Sequence, residues 1–308
     1  MKSLKFSRIF TNTIIYIILT VMAIIWLLPL VWLILQSFGS IVNQEGLPLY
    51  GSVGVRAKII PDVLSFHNYI YLFSNFTGEA NPLASNHTMD GLFFTWFCNT
   101  LVVAILSCII STVFVLGTAY ALSRFRFKAR DIFMRVNLII GMFPGFLGMI
   151  IMYWVMKEIF HLQGNYFALV ILYTAGSGGG YYIAKGFFDT ISKNIDEAAM
   201  IDGANRAQIF WQIILPLAKP IIVYTVLTSF MGPWGDYVTS SYIIGMQNAD
   251  NWTVAIGLYQ FTTGTDIAAS YYTQFAAGAV VVAIPITALF LFLQKYYVSG
   301  VTGGAVKG

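Results

Sequence analysis

Six stretches of about 20 or more mainly apolar residues limit the folds open to this chain more than any other feature. A bilayer hydrocarbon core of about 30 Å needs roughly 20 residues of apolar helix. The stretches lie at 13–35, 93–122, 132–156, 166–188, 220–245 and 274–298. The chain is 58% apolar and 10% charged, whereas soluble domains are about 45–50% apolar and about 25% charged. The sequence therefore predicts an all-α polytopic membrane protein with six transmembrane helices.

In three of these stretches we expect helix-breaking residues to interrupt the helix. Pro144 lies in the third, Gly232 and Pro233 lie in the fifth, and Pro285 lies in the sixth. An interior proline removes a backbone hydrogen bond, and membrane helices tolerate this where neighbours or a cavity satisfy the freed groups. We therefore expect interrupted helices at these three places.

The basic residues predict the orientation. All but three of the 17 lysines and arginines lie in segments 1–12, 123–135, 185–219 and 295–308, the exceptions being Arg56, Lys58 and Lys157. Cytoplasmic loops carry the excess of basic residues. The sequence thus predicts a multi-pass membrane protein with both termini in the cytoplasm.

The same pattern predicts how the chain is organised. A cytoplasmic N-terminus (1–12) precedes the first transmembrane helix (13–37) and an extracytoplasmic loop (38–92). A five-helix core (93–298) contains a cytoplasmic loop (189–219), and a cytoplasmic tail (299–308) follows. The long outer loop either packs over a pathway or against a partner, or forms a solvated cap.

Motifs for catalysis, metal binding and nucleotide binding are missing from the sequence. The glycine run at 176–180 is not followed by Lys-Ser or Lys-Thr, so helix packing or a locally opened helix beside a cavity explains it better than phosphate binding. His67, His87 and His161 lack metal-ligand spacing. We expect no catalytic residues, no metal and no cofactor in this chain.

One acidic residue, Asp236, lies at membrane depth beside Gly232 and Pro233. Intramembrane carboxylates often serve ion coupling, and secondary carriers usually need several charges and internal repeats. Asp236 is either a polar wall residue of a pathway or a helix cap at the break.

The segment 196–220, DEAAMIDGANRAQIFWQIILPLAKP, is the most informative part of the sequence. Acidic residues and strong helix formers begin it, and Gly203 permits a sharp turn. Apolar residues then recur at helical spacing until Pro216 and Pro220, which are expected to end the second helix. We expect a helix–turn–helix elbow that fits a partner's groove or lies on the membrane surface.

The segment resembles the EAA loop of binding-protein-dependent ABC importer permeases. It contains Glu-Ala-Ala, three residues, Gly, nine residues and Ile-x-Leu-Pro, and every position of that pattern matches. Pro61, Ser65, Asn68 and Tyr69 resemble the outer-loop signature of the carbohydrate branch, and residues 119–124 (AYALSR) resemble its span ending.

The C-terminal part resembles the smaller membrane subunit of maltose/maltodextrin importers, in residues 275–286 and in the tail 298–308. Residues 234–237 (WGDY) depart from the Trp-Asn-[DE]-Phe of many sugar permeases. Transfer of the substrate's identity from the family is therefore not direct.

The resemblance implies a type I ABC importer permease fold and several partners: a homologous second permease subunit, two cytoplasmic ATPase subunits that bind ATP and Mg²⁺, and an extracytoplasmic solute-binding protein. Residues 194–204 would form the coupling helix that docks in an ATPase groove. The residues assigned to coupling are Asp196, Glu197, Ala198, Ala199, Asp202, Gly203, Ala204, Ile213, Leu215 and Pro216. The tail residues assigned to ATPase contact are Gly303, Gly304, Lys307 and Gly308.

The sequence identifies the residues that contact the substrate less directly than the residues of the coupling segment. Sugar sites favour aromatic faces with polar partners, although aromatics in membrane spans more often face lipid. The candidate path residues are Tyr173, Tyr181, Tyr182, Trp234, Asp236 and Tyr237. The expected function is therefore that of a non-enzymatic permease subunit for ATP-driven uptake of maltodextrin-like oligosaccharides. A permease for another sugar, for amino acids or peptides, and an ion-coupled carrier are the alternatives.

Overall fold

The computed structural model describes residues 2–42, 48–49, 58–77, 92–263 and 265–305. Its chain divides into two compact units, Met1–Gly91 with Gln260–Val281, and Leu92–Tyr259 with Val282–Gly308. The helices are α1 (Lys2–Ser37), α2 (His67–Thr77), α3 (Phe93–Arg124), α4 (Arg130–Gly141), α5 (Gly145–Trp154), α6 (Phe167–Gly176), α7 (Gly180–Thr190), α8 (Lys193–Ile201), α9 (Arg206–Gln208), α10 (Leu215–Leu217), α11 (Lys219–Gly235), α12 (Tyr237–Ile244), α13 (Val254–Gln260) and α14 (Thr265–Ala305).

The remaining regular elements are short. Two segments are π-helical, Val155–Ile159 and Ile209–Ile214, and two are 3-10 turns, Ser177–Gly179 and Ala249–Asn251. The strands are β1 (Gly39–Val42), β2 (Pro48–Leu49) and β3 (Val63–Leu64).

The helices overlap all six predicted transmembrane stretches, although the bent pair at the fifth begins at Arg206, inside the predicted cytoplasmic loop. In the described part of the chain, three segments are long and apolar enough to cross a membrane: Phe10–Ser37, Phe93–Arg124 and Tyr271–Tyr296. Three bent helix pairs pass the same test together: Arg130–Gly141 with Gly145–Ile159 (100°), Phe167–Gly176 with Gly180–Thr190 (45°), and Arg206–Leu217 with Lys219–Gly235 (85°). If each bent pair is one span, the described chain has up to six, as predicted.

The proline interruptions are only partly where the sequence predicts them. The third span breaks just before Pro144, which is confirmed. The fifth runs through Pro233 and ends at Gly235, because Asp236 caps the next helix there. The sixth continues through Pro285 without a break, so that prediction was wrong. One proline removes one hydrogen bond, and the flanking turns of a long apolar helix hold it together.

The described part of the predicted outer loop (38–92) contains three short strands and one helix. Strand β1 pairs antiparallel with β2 (Ile41 opposite Leu49) and with β3 (Gly39 opposite Leu64). The side chain of Asn68, fully buried on α2, donates to the carbonyl oxygens of Ser37 and Gly39, both at 3.0 Å. These bonds fasten α2 to the end of α1.

The other residues of the outer-loop signature lie at the same junction. The Tyr69 and Ser37 hydroxyls are 2.7 Å apart, and the Ser65 hydroxyl accepts from the backbone of His67 at the start of α2. A Cβ on Gly39 would lie 2.6 Å from Pro61 Cγ, so a larger residue does not fit there. In this structure the signature residues stabilise the junction between the end of α1 and the start of α2.

We expect Asn68→Ala to lower stability by about 1–3 kcal/mol, because it leaves two buried carbonyl groups without donors. The measurement is the midpoint of thermal unfolding of the detergent-solubilised protein. Asn137→Ala is the matched control, since Asn137 donates to the Phe133 carbonyl at an exposed position. Equal midpoints for the two variants would contradict the assignment.

Helix α3 is the centre of the second unit and packs against α6, α7 and α11. Small residues line its buried face at helical spacing: Thr100, Ala104, Ser107 and Ser111. Small residues let membrane helices approach closely. By contrast, every residue of α4 and α5 is at least partly exposed, so these helices present an apolar surface to lipid or to a partner.

The first turns of α3 hold the segment 245–254 in place. Trp96 Nε1 donates to the Ala249 carbonyl at 2.8 Å, and Asn99 donates to the carbonyls of Asp250 and Trp252 at 2.7 and 3.0 Å. The Thr100 hydroxyl accepts from the backbone of Val254 at 2.8 Å. One end of α3 is thereby tied to the segment that leads into α13.

Candidate functional site

The elbow predicted from the sequence is present, with α8 as its first arm and Arg206–Leu217 as its second. The Ser192 side chain caps α8 by accepting from the backbone of Asn194. The described helix begins one residue before the predicted 194–204 segment and ends three residues earlier.

The turn between the arms is fixed by backbone hydrogen bonds. Ala204 N–H donates to the Ala199 carbonyl at 2.9 Å, and Gly203 N–H donates to the Met200 carbonyl at 3.1 Å. This pair of bonds is a Schellman motif, which needs a left-handed residue just after the helix. Gly203 has φ +87°, so the predicted bend at Gly203 is confirmed.

The second arm begins immediately after this turn. Asn205 and Gln208 form a reciprocal capping box: each side chain accepts from the other residue's backbone N–H, at 2.8 and 2.9 Å. Two caps in succession leave the turn few conformations, because each satisfies backbone groups that a helix end would otherwise expose.

The second arm is amphipathic, as predicted. Ile209 and Ile214 are fully buried, and Phe210, Ile213 and Leu215 pack against the same cluster. The second arm ends at Leu217, between Pro216 and Pro220, as predicted, and an 85° bend separates it from α11. Pro220 lies in the first turn of α11, where its missing N–H costs nothing.

The first arm has two different faces. Asp196 and Ala199 are buried against the helix bundle, and Ala199 is part of its apolar cluster. Glu197, Ala198 and Asp202 are exposed. Ile201 is 86% exposed. The outward face therefore combines two exposed carboxylates, a small residue and the exposed apolar side chain of Ile201, which suits docking in a groove.

Asp196 faces inward and forms a buried ion pair with the last residue of α3. Its Oδ2 lies 3.1 Å from Arg124 Nε, and the two side chains are 5% and 3% exposed. The Tyr120 hydroxyl, one turn back along α3, lies 3.5 Å from Asp196 Oδ1. Sequence reasoning identified residues 119–124 as a motif but missed this contact, because 72 residues separate the two partners.

Further hydrogen bonds and a second ion pair lie around the Arg124–Asp196 pair. Arg124 also donates to the Ile191 carbonyl at 2.9 Å. The neighbouring Ser123 donates to Asp189 Oδ1 at 2.6 Å, and Asp189 Oδ2 pairs with Lys185 at 2.6 Å within α7. The last turn of α3 therefore holds the end of α7, the connection after it, and α8.

The tail is described only in part. Gly303 and Gly304 lie in the last turn of α14, which continues to Ala305, so the tail predicted from residue 299 is mostly helical. Lys307 and Gly308 lie outside the described residues.

A cavity of about 530 Å³ brings together two of the six path candidates, Tyr173 and Asp236. Tyr173 donates to Asp236 Oδ2 at 3.0 Å, and Asp236 Oδ1 caps α12 by accepting from the backbone of Thr239 at 3.0 Å. Asp236 is therefore both a wall residue and a helix cap, which combines the two alternatives left open by the sequence. Hydroxyl residues complete the wall: Ser111, Tyr224, Thr225, Thr228, Ser229 and Thr239.

The other four candidates lie elsewhere. Tyr181 lines a separate, mainly apolar cavity of about 480 Å³ and stacks on Tyr182, which donates to the Met134 carbonyl. Trp234 is 3% exposed and packs against aromatic neighbours, and Tyr237 stacks on Tyr259 at 3.8 Å between ring centroids. Aromatic content alone does not show which rings face a cavity.

The glycine run at 176–180 marks a break between α6 and α7. A Cβ at Gly176 or Gly179 would meet nothing within 4 Å, and both residues line the 530 Å³ cavity. The structure thus favours a locally opened helix beside a cavity over close helix packing. Among the described residues, no group of three or more His, Cys, Asp or Glu side chains could hold a metal ion.

The apolar bent helices and the helix–turn–helix elbow define a membrane-embedded transport subunit. Residues 113–303 match the family described as "Binding-protein-dependent transport system inner membrane component". The chain belongs to this family, which confirms the resemblance drawn from its motifs.

Relatives match along nearly the whole chain. The galactooligosaccharides transport system permease protein GanQ of Bacillus subtilis is 34% identical over 294 residues, covering 95% of this chain and 94% of the relative. The maltodextrin transport system permease protein MalD of Streptococcus pneumoniae is 32% identical over 306 residues, covering 99% of both chains.

A solved structure shares the fold. A chain in the crystal structure of a bacterial ABC transporter involved in the import of the acidic polysaccharide alginate superposes with TM-score 0.68 at 23% identity, covering 94% of this chain and 97% of that one. The predicted fold class and the role as a membrane permease subunit of an ABC importer are both confirmed.

Proposed function

We propose that this chain is the smaller permease subunit of an ATP-driven importer of oligosaccharides, with maltodextrin-like sugars as the first substrates to test. The relatives named above are permeases for galactooligosaccharides and maltodextrin. The hydroxyl-rich cavity around Tyr173 and Asp236 offers the polar partners that sugar hydroxyls need.

The observation that carries the proposal is the outward face of α8. Glu197, Ala198 and the 86% exposed Ile201 lie on a helix whose inner face is fixed to the bundle. We infer that this face docks in a groove of a cytoplasmic ATPase subunit, where Glu197 meets a basic group. Gly303, Gly304, Lys307 and Gly308 are proposed as a second contact with the ATPase.

The partners follow from this arrangement. Two ATPase subunits bind ATP and Mg²⁺, a second homologous permease subunit covers apolar surface such as that of α4 and α5, and a solute-binding protein delivers the sugar. This chain itself hydrolyses nothing and holds no cofactor. Closure of the ATPase pair shifts the assembly between inward- and outward-open states.

The proposed location is the cytoplasmic membrane of a bacterium or archaeon, with both termini in the cytoplasm. The distribution of lysine and arginine supports this orientation. With this orientation the elbow lies on the cytoplasmic side, where the proposed ATPase subunits bind.

Co-purification and transport together test the proposal. The tagged chain is isolated in mild detergent from its native membrane, and the complex is reconstituted with its binding protein and assayed for ATP-dependent uptake of labelled maltodextrin. We expect a homologous permease and two ATPase copies. Recovery of the chain alone, with uptake driven by an ion gradient, would favour a secondary carrier, and uptake of an amino acid or peptide instead would reject the sugar assignment.

Glu197→Ala should weaken ATPase binding by roughly tenfold or more, since losing one partner of a desolvated interfacial ion pair costs about 2 kcal/mol or more. The measurement is the amount of ATPase co-purified per permease. Glu158→Ala removes an equally charged residue that is 59% exposed beside Lys157, and should leave the yield unchanged. A full yield with Glu197→Ala would remove Glu197 from the docking face.

A further inference from the structure

The buried ion pair between Arg124 and Asp196 joins two elements that the chain otherwise connects only indirectly. Helix α8 is continuous with the bundle through the short connection after α7 and through the turn at Gly203. Both connections are at its ends. The contact between Asp196 Oδ2 and Arg124 Nε, 3.1 Å long, attaches the middle of α8 directly to α3.

The pair is suited to transmit force because both charges are buried and lie 3.1 Å apart. Its side chains are 5% and 3% exposed, and charges screened from water interact more strongly than exposed ones. Arg124 is held from a second direction by the Ile191 carbonyl at 2.9 Å. A displacement of α8 therefore cannot be absorbed by a swing of the arginine without breaking one of these contacts.

The same turn of α3 also contacts the second arm of the elbow. The ring of Tyr120 lies 4.7 Å from the ring of Phe210, between centroids, and its hydroxyl points to Asp196. The last turn of α3 thus touches both arms and helps to set the angle between them. Because α3 packs against α6, α7 and α11, movement of its end is shared with the bundle.

We propose that the Arg124–Asp196 ion pair is the positioning link through which movement of the elbow is transmitted to α3 and so to the transport pathway. Asp196 acts through Arg124 and not by touching the ATPase, whereas its neighbour Glu197 faces outward. This inference rests on the proposed coupling function of the elbow.

The test compares Asp196→Asn, Arg124→Gln and the double variant in the full complex reconstituted into liposomes. Both ATP hydrolysis and sugar uptake are measured per assembled complex. We expect hydrolysis to continue while uptake per ATP falls by roughly fivefold or more, the lower end of the usual coupling between two sites. The double variant should be no worse than the worse single variant, because both substitutions remove the same link.

Lys157→Gln is the matched control. It breaks an ion pair with the neighbouring residue Glu158, which is 59% exposed, so uptake per ATP should stay at the wild-type value. Arg124→Lys keeps the charge but loses the guanidinium fork, and should give an intermediate ratio.

Three results would overturn the proposal. The first is an unchanged ratio of uptake to hydrolysis in either single variant, and the second is additive losses in the double variant. The third is failure of every Arg124 and Asp196 variant to assemble, including Arg124→Lys, since the pair would then serve folding. Failure of the wild-type complex to couple ATP to sugar uptake would instead reject the proposed function itself.

Discussion

Gly203→Val is expected to abolish most ATP-driven uptake while leaving the chain in the membrane. Gly203 has φ +87° and supplies the left-handed residue of the Schellman turn. A β-branched residue in that conformation is a strong outlier. Backbone strain of about 1–3 kcal/mol would reduce the bent form of the elbow by roughly 5- to 150-fold. Uptake into whole cells or proteoliposomes measures the effect.

Gly203→Asn is the control that isolates the backbone. Asparagine tolerates the left-handed region better than other side chains, and a Cβ at this position meets nothing within 4 Å. Uptake should be largely retained. Equal losses in the two variants would mean that the added side chain blocks a partner, and wild-type uptake with Gly203→Val would remove the turn from the coupling mechanism.

Gly257→Ala is the second substitution with a large expected effect. A Cβ at Gly257 would overlap Cε3 of Trp96, whose side chain is fully buried. The indole must then move away and release its bond to the Ala249 carbonyl. Overpacking usually costs about 1–3 kcal/mol and occasionally more, and the lost bond to a buried carbonyl adds about 1–3 kcal/mol.

The measurement is the thermal unfolding midpoint and the amount of protein in the membrane, both of which should fall sharply. Gly186→Ala is the control, because a Cβ at Gly186 in α7 meets nothing within 4 Å. Alanine is favoured over glycine inside a helix, so that variant should be as stable as the wild type or slightly more so. A stable Gly257→Ala protein would show that the space beside Trp96 accommodates a methyl group at position 257.

The elements predicted well from the sequence are those set by local chemistry. Apolar stretches of sufficient length predicted the spans, because membrane crossing depends on length and hydropathy alone. Gly203 predicted the bend, because its backbone conformation needs glycine. Pro285 shows the limit of such rules: the residue is a helix breaker in general, yet its helix continues.

The features that escaped prediction depend on residues distant in sequence. The pairing of Gly39 with Leu64 makes strands from residues that a composition count assigns to a loop. Arg124 was visible as a motif residue, but its partner Asp196 was not. Tyr173 and Trp234 both appeared as path candidates, and only three-dimensional packing places the first beside a cavity and the second in the core.

Helix α3 contacts another segment of the chain through side chains at each of its ends, and these two contacts constrain its length. Near its start, Trp96, Asn99 and Thr100 form hydrogen bonds with the segment 245–254. At its end, Arg124 forms an ion pair with Asp196 of α8. Its 32 residues span about 48 Å at 1.5 Å each. Each residue turns a helix by about 100°. Inserting or deleting one residue would therefore rotate the side chains at one end of α3 away from their partners while the contacts at the other end stayed in place. The two contacts therefore constrain the number of residues between Trp96 and Arg124 independently of which side chains lie between them.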